Sequence, residues 1–186
     1  MGMSAQDKMI TVANRLGLTS LKDMQGTTRM VYDSNTTAAT NFTFFKGASQ
    51  RAFPLTNIGA NGNQFQVDEA LLVEKIGFFV PSAADGVGYA GLDPTGTSVK
   101  FDLVIGNKTV IKDATCEIGG EQAFYNDGAI GSSVIDLEGV GILIPPQVEY
   151  YIIAKPFNGL ARTSTSIRLG VYLFGTGALL NFNTTI

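Results

Sequence analysis

Apolar and polar residues alternate at a spacing of two through most of this chain, and the densest such stretch covers residues 133–174. Val134, Ile135, Leu137, Val140, Ile142, Leu143 and Ile144 run up to a Pro145-Pro146 break. Val148-Glu149-Tyr150-Tyr151-Ile152-Ile153 leads away from it to a second stop at Lys155-Pro156. Beyond a polar loop, Ile167, Leu169, Val171 and Leu173 fall on one side of an extended backbone, whose successive side chains point to opposite faces. These runs are the core-forming block onto which the other strands pair.

Upstream, Phe42 and Phe44 alternate with Thr43 and open a strand. Residues 51–58 offer a short extended piece around Phe53 and Leu55, interrupted by Pro54, and residues 59–63 compose a turn. Phe65 and Val67 lead into residues 70–80, where a spacing of two puts Leu72, Ile76, Phe78 and Val80 on one face and Lys75 on the other. Residues 82–98 form a long loop rich in Gly, Ser and Asp. Val99, Phe101, Leu103 and Ile105 then alternate with Lys100 and Asp102; Gly106-Asn107 supplies a tight hairpin turn, and Thr109-Val110-Ile111 returns. Residues 114–129 are ambiguous, with turns at Gly119-Gly120 and Asp127-Gly128 around a short run at 122–125. Ala178-Leu179-Leu180 with Phe182 make a last edge strand. Eight to ten short strands with no helix between them predict an all-β fold, a two-sheet sandwich or a jelly roll rather than an α/β protein.

A helix is expected only at the start. Ser4 caps it, Asp7 stands in its first turn, Met9, Val12, Ala13 and Leu16 form one stripe, and Gly17 stops it. So short a helix is marginal alone, and its stripe must dock either on its own domain or on a neighbouring copy. From Leu18 to Thr40 periodicity is lost, with only Met30-Val31-Tyr32 apolar. Residues 1–40 therefore read as an N-terminal arm, and residues 41–186 as the sandwich domain.

Composition sharpens this picture. The 186 residues are 45% hydrophobic but only 16% charged, below the roughly 25% typical of soluble domains. Surface covered by other subunits explains such scarcity of charge, and so does a compact sandwich with a Ser/Thr/Asn/Gly exterior. The net charge of −3 is uneven: residues 1–51 balance to +3, which leaves −6 for the remainder. A weakly basic arm on an acidic body admits a weak contact with a nucleic-acid genome. Cys116 is the single cysteine, which excludes an internal disulfide. No basic-then-apolar leader and no apolar run of membrane-spanning length are present, so synthesis in a reducing cytoplasm is expected.

Candidate chemistry is sparse. Residues 86–91 match G-x-G-x-x-G literally, but Asp93-Pro94-Thr95-Gly96 follows where a helix would have to begin. Residues 91–98 resemble a Walker loop with Thr97 in place of its lysine. Both read as a glycine loop that contacts a neighbour or a ligand. The chain has no histidine, which removes Ser-His-Asp and Cys-His catalysis and His-ligated zinc. The nearest carboxylate pairs, Asp68-Glu69, Asp136/Glu138 and Glu117/Glu121, read as solvated faces or turn chemistry rather than calcium ligands. Cys116 has no neighbouring base and reads as a packing residue. No catalytic residue, metal or cofactor is expected. Tyr150-Tyr151 and the Tyr172/Phe174 pair must put at least one ring on each face of their strands, so those faces are covered or are interfaces. The absence of tryptophan weighs against a sugar-binding sandwich.

In layout the chain resembles virion proteins of bacterial viruses of the jelly-roll type. The carrying features are the helix-bearing arm (residues 4–40), the opening strand Asn41-Phe42-Thr43-Phe44-Phe45, and residues 64–67 leading to residues 74–80. Residues 141–147, turning into a Tyr-rich strand, and residues 167–175 complete the likeness. The resemblance implies a single jelly roll that tiles a capsid shell, arms that reach neighbouring copies, partners that are copies of itself and other virion proteins, and residence in the virion. Met9, Val12, Leu16, Tyr150, Tyr151 and Tyr172 are then the candidate interface residues. The rivals are a decoration or vertex protein, and a carbohydrate- or receptor-binding module using the loop at 82–98.

Overall fold

The structure, a computed structural model, describes residues 4–21, 24–46, 53, 55–58, 63–81, 97–118, 134–137, 139, 141–159 and 161–180. Among these described residues one helix, α1 (Ala5–Leu16), precedes ten strands: β1 (Met24–Ala39), β2 (Phe42–Phe44), β3 (Glu69–Phe79), β4 (Thr97–Ile105), β5 (Lys108–Glu117), β6 (Val134–Asp136), β7 (Ile142–Ile144), β8 (Tyr150–Asn158), β9 (Thr163–Ser164) and β10 (Ile167–Leu180). They form two antiparallel sheets, one ordered β1-β10-β3 with β6 and β7 both on the far edge of β3, the other β2-β8-β4-β5 with β9 beside β8.

That order is a wrapped hairpin. The innermost pair is β4–β5, joined by the expected turn, with Gly106 at φ 59°. Moving outward along the chain in both directions, β3 pairs with β6 and β7, β2 with β8, and β1 with β10, and successive pairs fall in alternate sheets. This is the jelly-roll arrangement, an all-β two-sheet sandwich. Its core lies between the sheets, where Leu71, Val73, Ile76 and Phe78 of β3 meet Phe101, Leu103, Ile152 and Ala154 of the opposite layer. Leu169, Val171 and Leu173 of β10 join them, as their spacing requires.

Several expectations need correction. The reading of residues 18–40 as an arm fails for β1, a 16-residue strand in register with β10 from Met24↔Leu180 to Asn35↔Leu169, so the sandwich begins at residue 24 and not at 41. Its buried stretch is partly polar, and hydrogen bonds make that burial tolerable. Asp33 accepts from the Phe45 N–H at 2.6 Å, and the Ser34 hydroxyl donates to the Leu55 carbonyl at 2.7 Å. Thr56 and Asn57 close the outer edge of β1: the Thr56 hydroxyl donates to the Tyr32 carbonyl and the Tyr32 N–H to the Asn57 side chain. An edge so occupied offers no free ladder there for another strand.

On β3 the expected shared face breaks at Glu74. The register with β10 slips between Phe174 and Gly175, so Leu71 and Val73 point inward before the slip and Ile76, Phe78 and Val80 after it, while Leu72 faces outward. A β-bulge inserts one residue and reverses every later side chain. Lys155-Pro156 does not stop β8, which continues to Asn158. The Pro156 carbonyl accepts from the Thr165 N–H at 3.2 Å, on the side away from β4. In an extended residue the N–H points the same way, so the proline removes no bond to β4. Ala178, Leu179 and Leu180 belong to β10, which is central rather than a separate edge strand. The residues from 114 to 117 complete β5. Residues 119–129 of that ambiguous segment, the turns within it, Phe182 and residues 82–96 lie outside the described residues.

Candidate functional site

The two sheets leave two outer faces. On the β1-β10-β3 side, α1 lies across one end. Its start is fixed by a capping box, Ser4 and Asp7 each accepting from the other's backbone N–H, and its end by Gly17 at φ 72°. Val12 is fully buried against Ala70, Leu72 and Ala178, with Met9 and Leu16 packed alongside. Lys8 Nζ reaches Glu74 Oε2 at 2.7 Å, and an Arg15 guanidinium N–H donates to the Gly141 carbonyl at 2.9 Å. The helix stripe therefore docks on its own domain. Of the six basic residues that suggested a weak genome contact, Lys8 and Arg15 are bonded to the body, Arg29 pairs with Glu69 at 3.1 Å, and the Lys46 ammonium stands 5.0 Å from the Tyr151 ring; Lys22 and Arg51 lie outside the described residues.

Beside α1, the rings of Tyr32, Tyr172 and Phe79 form a second cluster, with Met30, Val134 and Phe174 packed against it. Tyr172 lies over Gly77 and Phe79 over Gly170, each its direct cross-strand partner, in positions where a Cβ would meet the ring. Tyr172 and Phe174 share this outer face, as residues two apart must, which corrects the reading that the pair divides between faces. Tyr150 and Tyr151 do divide. Tyr150 is buried between the Phe45 and Phe65 rings, at 5.2 and 5.3 Å, whereas Tyr151 is half-buried beside Lys46 on the other sheet. The six candidate interface residues are thus scattered: Met9, Val12 and Leu16 under the helix, Tyr150 in the core, and Tyr151 and Tyr172 on opposite outer faces.

The outer face of β4, β5 and β8 is polar and concave. Two ladder rows cross it, Phe157, Ser98 and Glu117 in one and Lys155, Lys100 and Thr115 in the next. Lys100 Nζ sits 2.7 Å from Asp113 Oδ1, and this pairing holds Lys100 above the ordinary lysine range and Asp113 below the ordinary carboxylate range. Asp113 adopts φ 53° at a bulge in β5, where its N–H donates to Asp102 Oδ1 at 2.7 Å. A groove of about 640 Å³ opens over these rows, lined by Ser98, Lys100, Thr115, Glu117, Phe157 and Arg162. Of these, sequence reasoning reached Lys100 as a face residue, Glu117 as half of a carboxylate pair, and Ser98 as the end of the candidate ligand loop at 82–98, where the structure has it in β4. Their convergence comes from register, which the sequence pattern does not encode.

Cys116 faces the core, and burial pushes its thiol up to about 12. Asp136 lies opposite Lys75 in register, while Glu138 and Glu121 fall outside the described residues. Among the described residues no three His, Cys, Asp or Glu side chains come together as a metal site. Among the same residues no helix is long and apolar enough to cross a membrane. No protein family matches this sequence, and no curated protein matches it significantly.

Proposed function

We propose that this chain is a self-assembling structural protein of a virus particle, with the jelly roll as the unit that tiles the shell. The observation that carries the reading is the strand order, with four nested antiparallel pairings falling in alternate sheets. The inference from that wrap to a shell is an analogy of fold, since jelly rolls also serve as lectins and cupins. A chain only 16% charged supports it, because repeated contacts between copies need little surface charge. Phe53 and Val67, 80% and 65% exposed, are large apolar side chains for such contacts to cover. At roughly 25 cal/mol per Å² of apolar area, modest contacts repeated over many copies hold a shell together.

Light scattering on the size-exclusion peak of purified protein, followed by negative-stain imaging, tests the reading. Discrete multimers or closed particles are the expected result, and a monomer that persists at high concentration overturns it. Particles that form only when a second shell protein is added identify a decoration or vertex role instead.

A further inference from the structure

The groove over β4, β5 and β8 combines features that assembly does not require. Residues directly opposed on one face of an antiparallel sheet stand about 5 Å apart. Phe157, Ser98 and Glu117 are therefore side by side, with Lys100 and Thr115 in the adjacent row on the same face. The turn after β8 adds Arg162, whose N–H donates to the Asn158 carbonyl at 2.6 Å and whose φ is 51°. The volume of about 640 Å³ lies within the roughly 300–1,000 Å³ span of small-ligand clefts. The lining offers one aromatic ring, two hydroxyls, one carboxylate and two cations. A ligand that uses all of them has an apolar ring face, several hydroxyls and a negative charge.

We propose that this groove binds an acidic saccharide, one bearing a carboxylate. The sugar carboxylate lies between Lys100 and Arg162, its hydroxyls meet Ser98, Thr115 and Glu117, and its C–H face rests on Phe157. Lys100 is already held by Asp113 at 2.7 Å, so less side-chain freedom is lost on binding. A neutral sugar brings no negative charge to Lys100 or to Arg162, the cation of the lining that is not bonded to Asp113. A phosphate or polyphosphate brings more negative charge against Glu117 and has no use for the ring. The proposal holds whether or not copies of the chain assemble.

The test is an amide-resolved NMR titration with uronic-acid and sialic-acid oligosaccharides, each paired with its neutral methyl ester. At least one acid is expected to bind saturably, shifting the amides of residues 98–100, 115–117 and 157–162, with its ester at least tenfold weaker. Arg162→Gln, a change at an exposed side chain, is expected to weaken that acid at least tenfold, whereas Lys108→Ala at the hairpin tip leaves it unchanged. Millimolar inertness toward every acid, equal binding of acid and ester, or shifts confined to other surfaces each overturn the proposal, as does Arg162→Gln binding at full strength.

Discussion

The contact between Lys8 and Glu74 decides whether α1 belongs to the folded body, and its strength can be worked out. The ion pair is 2.7 Å long, with the side chains 16% and 7% exposed, and the Thr176 hydroxyl donates to the second Glu74 oxygen at 2.6 Å. Removing one member of a buried pair costs about 3–5 kcal/mol because the other charge stays behind, whereas replacing both is close to neutral. Lys8 keeps some access to water, so Lys8→Met falls at the lower end, about 3 kcal/mol. Glu74→Gln costs less, about 1–2 kcal/mol, since an amide still accepts from Thr176 and the lysine can extend into solvent. The double variant is expected to cost about 1 kcal/mol, which makes the coupling about 3–4 kcal/mol. A 12-residue helix has little stability of its own, so the loss in Lys8→Met appears as undocking of α1 rather than unfolding of the sandwich. At about 1.4 kcal/mol per decade, amide exchange within α1 accelerates roughly a hundredfold while β3, β8 and β10 stay protected. Unchanged α1 protection in Lys8→Met, or a double variant that equals the sum of the singles, refutes this account.

Three further outcomes are expected. Gly175→Ala drives its Cβ into the Leu72 carbonyl oxygen at the β3 bulge, a backbone atom that cannot swing aside; it costs about 3 kcal/mol in urea unfolding, whereas Gly139→Ala, with nothing within 4 Å, stays within about 0.5 kcal/mol. The unfolded Cys116 thiol has its ordinary value of 9.0 and the folded one about 12; between them the unfolded chain has lost a proton that the folded chain keeps, so stability is intact below pH 9 and falls by about 1.4 kcal/mol per pH unit above it. Cys116→Ala flattens that slope without abolishing it, because burial also raises Tyr150, and native Cys116 resists iodoacetamide at pH 8 until denaturant is added. Phe53→Ser leaves the unfolding midpoint unchanged and reduces the multimer fraction in light scattering; a changed midpoint with intact multimers contradicts the role given to that side chain.

What the sequence made legible are the places where local rules and tertiary structure agree. Ser4, Asp7 and Gly17 bound α1 because caps act within one turn of chain. The β4–β5 hairpin is written in Gly106-Asn107 and in the alternation before it, and β10 in its strict spacing of two. The sandwich follows from many such strands with no intervening helix. The alternation of nested pairs between sheets does not follow from any of them, because pairing partners such as β1 and β10 lie at opposite ends of the chain.

The misreadings share a cause: the sequence shows which residues are polar, but not what their polar groups bond to. β1 looked like an arm because Asp33 and Ser34 sit where apolar residues were sought, yet Phe45 and Leu55 supply the partners that make them core residues. Glu74 looked like one residue in an ordinary alternation, but its backbone forms the bulge that turns Leu72 outward, toward Val12. With the same residue, the carboxylate claims Lys8 and brings α1 onto the face that Leu72 has just made apolar. The bulge and the helix are thus one device. A sequence reading that finds neither leaves the stripe of Met9, Val12 and Leu16 with two receivers, its own domain or a neighbouring copy, and it is the outward turn of Leu72 that decides between them.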